Sequence, residues 1–138
     1  MKQGKIVVVM GGPSSEAEVS RRTGAAIVSA LESKGYEVEG MELDPPRFAE
    51  AIRASGCAIV FNALHGKYGE DGVLQGTLDM LGIPYTGSGV LAAAVTMDKV
   101  MSKRVFLGAG VTTPRAETFH RFEQDAALPA RILPAFSL

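Results

Sequence analysis

The 138 residues predict an α/β fold, an open and mainly parallel sheet with helices on both faces, from three observations. Short β-branched apolar runs alternate with segments of helical period, the order expected of strands joined by crossover helices. The third run, Ala58 to Phe61, is apolar throughout, as in a strand covered on both sides, while the alternation of the second, Tyr36 to Leu43, is imperfect. Glycine-rich loops dense in polar groups follow the first and third runs, where such sheets gather their ligands.

Ile6 to Met10 closes at Gly11-Gly12-Pro13 and reads as a buried strand ended by a turn. The next segment is helical. Ser15 and Glu18 have capping-box spacing, and Val19, Thr23, Ala26, Ile27, Ala30 and Leu31 recur at steps of three and four as far as Gly35. Tyr36 to Leu43 reads as a second strand. Asp44-Pro45-Pro46 offers a cap and first-turn prolines to a short helix carrying Phe48 and Ile52, which Gly56 ends. Ala58-Ile59-Val60-Phe61 is a third strand. The loop His65 to Gly72 leads into a helix that buries Val73, Leu74, Leu78 and Leu81 and stops near Gly82. Ile83 to Thr86 is expected as a short fourth strand, and Val90 to Val95 and Asp98 to Gly108 as helices. Val111 to Phe119 is expected to be extended around Pro114. The resulting sheet is Rossmann-like, while Arg121 to Leu138 carry little periodicity and do not close a second core.

Composition narrows the function classes. With 46% apolar and 21% charged residues the chain can bury a core, and no apolar run is long enough to span a membrane or to serve as a leader. A cytoplasmic protein is expected. A net charge of -1, from 14 basic and 15 acidic residues, leaves no footprint for nucleic acid or an anionic membrane. The single cysteine, Cys57, lies in an apolar run and is expected to be a small buried hydrophobe without disulfide or zinc partners. Met97 and Met101 are core candidates, and His120 has no motif around it.

The loop Gly11-Gly12-Pro13-Ser14-Ser15-Glu16 joins a strand to a helix, where free amides and the dipole favour an anion. It lacks both a Gly-Lys-Ser/Thr ending and Gly-x-Gly-x-x-Gly spacing, which counts against a dinucleotide. It carries a carboxylate instead: Glu16 either grips an ammonium or hydroxyl group or merely complements the dipole. The loop after the third strand holds an imidazole, a Lys-Tyr pair and two carboxylates between glycines. His65 either donates to a carboxylate or oxyanion or caps the strand end. Asp71 is expected to cap the following helix, and Glu70 to pair with a loop amide or with Lys67.

His65-Gly66-Lys67-Tyr68-Gly69-Glu70-Asp71-Gly72-Val73-Leu74-Gln75-Gly76 resembles the amino-terminal signature of the D-alanine–D-alanine ligases. The segments Gly11 to Ser20, Pro84-Tyr85-Thr86-Gly87-Ser88-Gly89, and Thr96-Met97-Asp98-Lys99 with Lys103 are similar to that family in the same order. The resemblance runs from residue 4 to about residue 120. It implies a pre-ATP-grasp domain over residues 1–95 and the start of an ATP-grasp central domain over residues 96–138. The implied activity is ATP- and magnesium-dependent joining of two D-alanines for peptidoglycan. Within the family's pattern Glu16 falls on the glutamate that holds the first D-alanine's ammonium, His65 on the histidine beside the reacting carboxylate, and Lys99 on a lysine that reaches ATP phosphate. Ser20 falls within the motif as a support for the loop.

The family continues into central and carboxyl-terminal domains that hold the nucleotide and the metal carboxylates, and none of the family's metal ligands falls on this sequence. Where the family carries an ATP-binding lysine before proline, this sequence has Leu133. The chain alone is therefore expected to be catalytically incomplete and to bind neither ATP nor magnesium tightly. A homodimer is the family's habit. A different class of reading is a non-catalytic binding or dimerisation module, which predicts an exposed apolar patch over Val90 to Leu107.

Overall fold

The computed structural model describes residues 4–118. The chain divides into two compact units, Met1–Met97 and Asp98–Leu138. In the first, strands β1 (Ile6–Met10), β2 (Val38–Glu42) and β3 (Ile59–Asn62) form one parallel sheet in the order β2-β1-β3. The helices of this unit are α1 (Ala17–Glu32), α2 (Phe48–Ser55), α3 (Val73–Leu81) and α4 (Val90–Met97). The α/β fold and open parallel sheet expected from the sequence are present. β1 is central, with Val8 level with Gly40 on one side and Phe61 on the other.

Side chains alternate across the sheet and so sort the helices by face. Val7 and Val9 of β1 join Val60, Phe48 and Ile52 of α2, and Leu74 and Leu78 of α3 in one buried cluster. On the opposite face Met10 lies between Gly24 of α1 and Gly40 of β2, each so near that a Cβ would come within 3.0 Å of the methionine side chain. The close approach of α1 follows from these small residues. Its buried row is Ser20 and Gly24, whereas Val19, expected to face the core, is 49% exposed.

Several local expectations are corrected. α1 starts at Ala17 with Glu16 as its N-cap and no side-chain cap bond, so Ser15 and Glu18 form no capping box. Ser14 Oγ instead accepts from Glu16 N at 3.2 Å. Asp44 to Arg47 form a turn before α2 rather than its first turn, closed by Arg47 N donating to Asp44 O. Ile83 to Thr86 contribute one parallel bridge, Tyr85 to Val60, instead of a fourth strand. Pro84 explains this shortness, since it has no N–H for a ladder. Cys57 is half-buried against the core edge.

Helix ends follow the sequence more closely. Gly56 and Gly82 close α2 and α3 in the left-handed conformation that relieves the last helical carbonyls. Within the second unit, α5 (Lys99–Gly108) begins at Asp98, whose carboxylate accepts from Val100 N and Met101 N at 2.9 Å. Met97 and Met101 are each 42% exposed, not core. Residues 111–118 contain no helix or strand. His120 and Leu133 lie outside the described residues.

Candidate functional site

α1 faces the segment leaving β3 along one row of side chains, Glu16, Ser20 and Thr23, at i, i+4 and i+7. Ser20 is fully buried; its Oγ accepts from Gly11 N and donates to Ala63 O, both at 2.8 Å. One hydroxyl thus ties the loop after β1 to the loop after β3, the supporting role expected of Ser20. Four residues earlier on the helix, the Glu16 carboxylate lies against Gly66: a Cβ there would stand 2.8 Å from Oε2. One turn later, Thr23 Oγ1 is 3.5 Å from His65 Nε2. The structure therefore brings Glu16 and His65 to the carboxyl ends of β1 and β3.

The loop carrying His65 is held by its own polar groups. Ser14 Oγ donates to His65 O at 3.2 Å. Gly66 N donates to Glu70 Oε2 at 2.7 Å, and Glu70 N returns a bond to Gly66 O at 2.9 Å. Of the two partners expected for Glu70, the loop amide is the one found; Lys67 instead stands 5.3 Å from the centre of the Tyr68 ring. Asp71 accepts from Tyr68 N and from Val73 N, the first residue of α3, so it serves the helix start from one position before the N-cap, Gly72. Tyr68 is held at φ 74, a strained value for a residue with a side chain.

The glycine loop after β1 is occupied by the protein itself. Glu42, at the end of β2, accepts from Gly12 N at 3.1 Å and from Arg21 Nε and Nη2 at 3.1 and 2.7 Å. The Arg21 guanidinium, with help from the Gly12 amide, holds the Glu42 carboxyl below its ordinary value against the opposing effect of burial. The amide that a pyrophosphate would use already has a carboxylate on it, which removes the physical basis for a dinucleotide there.

Lys99 belongs to the second unit. It is exposed on the first turn of α5 and lines an open cleft of about 710 Å³ with Lys103, Arg104, Arg115 and Glu117. Lys103 Nζ donates to Thr113 Oγ1 and Pro114 O, tying α5 to the extended segment. Four cations against one carboxylate suit a phosphate group. Among the described residues no group of histidine, cysteine, aspartate and glutamate is disposed to hold a metal ion, and no helix is long and apolar enough to cross a membrane.

Sequence reasoning missed Ser14, Thr23, Gly66 and the Arg21–Glu42 pair. The signal for Thr23 was its i, i+7 spacing from Glu16, masked because the same position fits the apolar stripe of α1. Arg21 and Glu42 are joined only through the fold, and nothing local marks them.

Known proteins are similar to this chain in sequence and in fold. The family described as D-ala D-ala ligase N-terminus matches residues 45–88. A D-alanine–D-alanine ligase of Moorella thermoacetica is 53% identical over 111 residues, covering 80% of this chain and 36% of that protein. D-alanine–D-alanine ligase B of Chromobacterium violaceum is 45% identical over 142 residues, covering 98% and 46%. The crystal structure of the Bacillus anthracis ligase complexed with ATP superposes with a TM-score of 0.72 at 39% identity, over 87% of this chain and 43% of that one. The Coxiella burnetii ligase, at 24% identity, shares the fold with a TM-score of 0.81, over 99% of this chain and 50% of that one. The chain thus spans less than half the length of these two curated relatives. In sequence and in fold, it is related to the amino-terminal part of the D-alanine–D-alanine ligases.

Proposed function

We propose that the chain forms the amino-terminal share of an ATP-dependent D-alanine–D-alanine ligase and holds the first D-alanine of a dipeptide made for peptidoglycan. The observation that carries this reading is the approach of Glu16 to the His65–Gly66 segment. A carboxylate at the end of β1 and an imidazole at the end of β3 match the two ends of a zwitterion: Glu16 takes the ammonium, and His65 donates to the carboxylate. That donation gains strength as charge builds on the carboxyl oxygens during attack by the second amine. Lys99 and its neighbours would hold a phosphate of ATP, which when bound supplies the phosphoryl group that activates the carboxylate. Magnesium is part of the reading through the family alone, and no step is assigned to it on these residues.

On this reading residues 1–95 are the substrate-binding domain and residues 96–138 begin the ATP-grasp central domain. The protein works in the cytoplasm, where ATP is available, and without nucleic-acid partners. Because it spans 36–46% of the two curated relatives, it is not expected to turn over alone or to bind ATP or magnesium tightly.

The test is phosphate release from ATP with D-alanine and magnesium, by the chain alone and by the chain mixed with the remaining part of a relative. Turnover is expected only in the mixture and is expected to disappear with Glu16→Gln. Turnover by the chain alone would overturn the incomplete-site reading. Silence in the mixture, with both pieces folded and D-alanine leaving the spectrum of the chain unchanged, would overturn the ligase reading itself.

A dimerisation module is the second reading, and α4 favours it. This helix, Val-Leu-Ala-Ala-Ala-Val-Thr-Met, buries only Ala93 and leaves Leu91 78% exposed. Such an apolar surface favours association, and a homodimer is compatible with the ligase reading. Sedimentation equilibrium of wild type and Leu91→Lys decides it: a dimer weakened by the charge supports the role of α4, and a monomer throughout removes it.

A further inference from the structure

Two of the three contacts in the row Glu16, Ser20, Thr23 already have a purpose: Ser20 ties the loops, and Glu16 offers the carboxylate. The third, Thr23 Oγ1 to His65 Nε2, is used by nothing described so far. We propose that Thr23 is a positioning residue for His65: its hydroxyl donates to Nε2, which leaves the imidazole proton on Nδ1 and makes Nδ1–H the donor that meets a ligand's carboxylate. The proposal rests on the reading of His65 as the carboxylate-facing group.

The argument is one of hydrogen-bond accounting. A threonine hydroxyl has one proton to give, and a neutral imidazole has one donor and one acceptor. Among the described residues the Thr23 hydroxyl has no partner except His65 Nε2. Both side chains are half-buried, so an idle hydroxyl proton carries a cost. The hydroxyl is satisfied when Nε2 accepts, and the ring proton then resides on Nδ1, which has no partner among the described residues. At 3.5 Å the contact is long, as such bonds often are before a ligand draws on the other side of the ring.

Thr23 is not needed to hold the loop. His65 O is bonded by Ser14, and Gly66 is clamped in both directions by Glu70. Thr23 therefore acts on the orientation and tautomer of the ring, with the backbone fixed by other groups. The charged groups around the imidazole are the carboxylates of Glu16 and Glu70, one lying against Gly66 and the other bonded to its amide. Neither touches the ring.

The experiment is a long-range proton–nitrogen correlation spectrum of the whole chain at about pH 8.5, two units above the ordinary histidine value, where the tautomer is read directly. The chain has two histidines, and a His120→Gln variant assigns the signals. His65 is expected to show an unprotonated Nε2 and a protonated Nδ1. Thr23→Val is expected to abolish that preference, so that the two nitrogens move toward a common average, and Thr23→Ser to restore it. A wild-type proton on Nε2 would overturn the proposal, and that result needs no variant. So would an unchanged preference in a folded Thr23→Val chain. If the tautomer is as stated but D-alanine moves neither His65 nitrogen, the substrate reading fails while the assignment of Thr23 to the ring stands.

Discussion

The Glu16 carboxylate and Gly66 are packed so closely that a single added carbon at Gly66 would stand 2.8 Å from Oε2. Gly66 also sits at φ +70, in the left-handed region. A side chain there meets two obstacles, a strained backbone and a carboxylate that must move. Gly66→Ala is expected to lower stability by about 1–2 kcal/mol from the backbone alone. It should also turn Glu16 away from His65. Urea unfolding checks the first effect. In the mixture that turns over, a larger fall in activity than Thr23→Val produces checks the second.

Ser20 is the cheapest place to disconnect the two loops. Removing its hydroxyl leaves a buried amide at Gly11 and a buried carbonyl at Ala63 without their partner. Each such group costs about 1–3 kcal/mol, so Ser20→Ala is expected to destabilise the chain by roughly 2–6 kcal/mol, read from its urea midpoint. A loss below about 0.5 kcal/mol, the range of ordinary surface substitutions, would show that the hydroxyl does not bridge them.

These two residues also mark how much was legible in the sequence. The order of strands and helices, the glycine stops and the two chemical loops could be read because each depends on residues near one another in the chain. Glu16 and His65 could be named from loop chemistry and family resemblance, yet their approach depends on α1 lying close to the sheet. Gly24 and Gly40 permit that approach on either side of Met10, and no local pattern announces it. The apolar stripe of α1 misled for the same reason. With small residues at the contact, the buried row is Ser20 and Gly24, and Val19 is turned outward. Ile83 to Thr86 is expected as a short strand, but Pro84 limits its pairing to one bridge.

The Arg21–Glu42 pair predicts a pH dependence with a definite sign. Arg21 holds the folded Glu42 carboxyl below its ordinary value. The stabilisation is therefore present above the unfolded value, about 4.3, and is lost as pH falls through the lower folded value. Half-exposure of both side chains keeps the effect within the range of surface pairs, about 0–1 kcal/mol. The difference in urea midpoint between wild type and Glu42→Gln should shrink as the pH is lowered from 6 to about 3. A constant difference would mean that the carboxylate charge adds nothing to the loop.

Asp98 tests the start of the second unit. Its carboxylate caps α5 through two amides, and no other side-chain cap serves that end. Asp98→Ala is expected to cost about 1 kcal/mol of helix stability. The amides of Val100 and Met101 should then exchange faster while those of β1 are unchanged. Equal acceleration in β1 would show that the substitution acts globally.

Glu70 decides whether the loop bearing His65 is held by charge or by shape. Its carboxylate accepts the Gly66 amide at 2.7 Å, and its own amide donates back to the Gly66 carbonyl, so one residue closes a ring around the glycine beside the imidazole. Hydrogen bonds to charged groups contribute about 1.5–3 kcal/mol, which corresponds to roughly tenfold to hundredfold in an opening equilibrium. Glu70→Ala should therefore raise the exchange rate of the Gly66 amide by that factor while Ala63, bonded through Val9 and Ser20, stays protected. Glu70→Gln keeps an acceptor oxygen without the charge and should fall between the two. If Glu70→Gln matches Glu70→Ala, the charge is what holds the loop; if it matches wild type, the shape of the side chain suffices. No acceleration in either variant would mean that the Ser14 bond to His65 fixes the loop without Glu70.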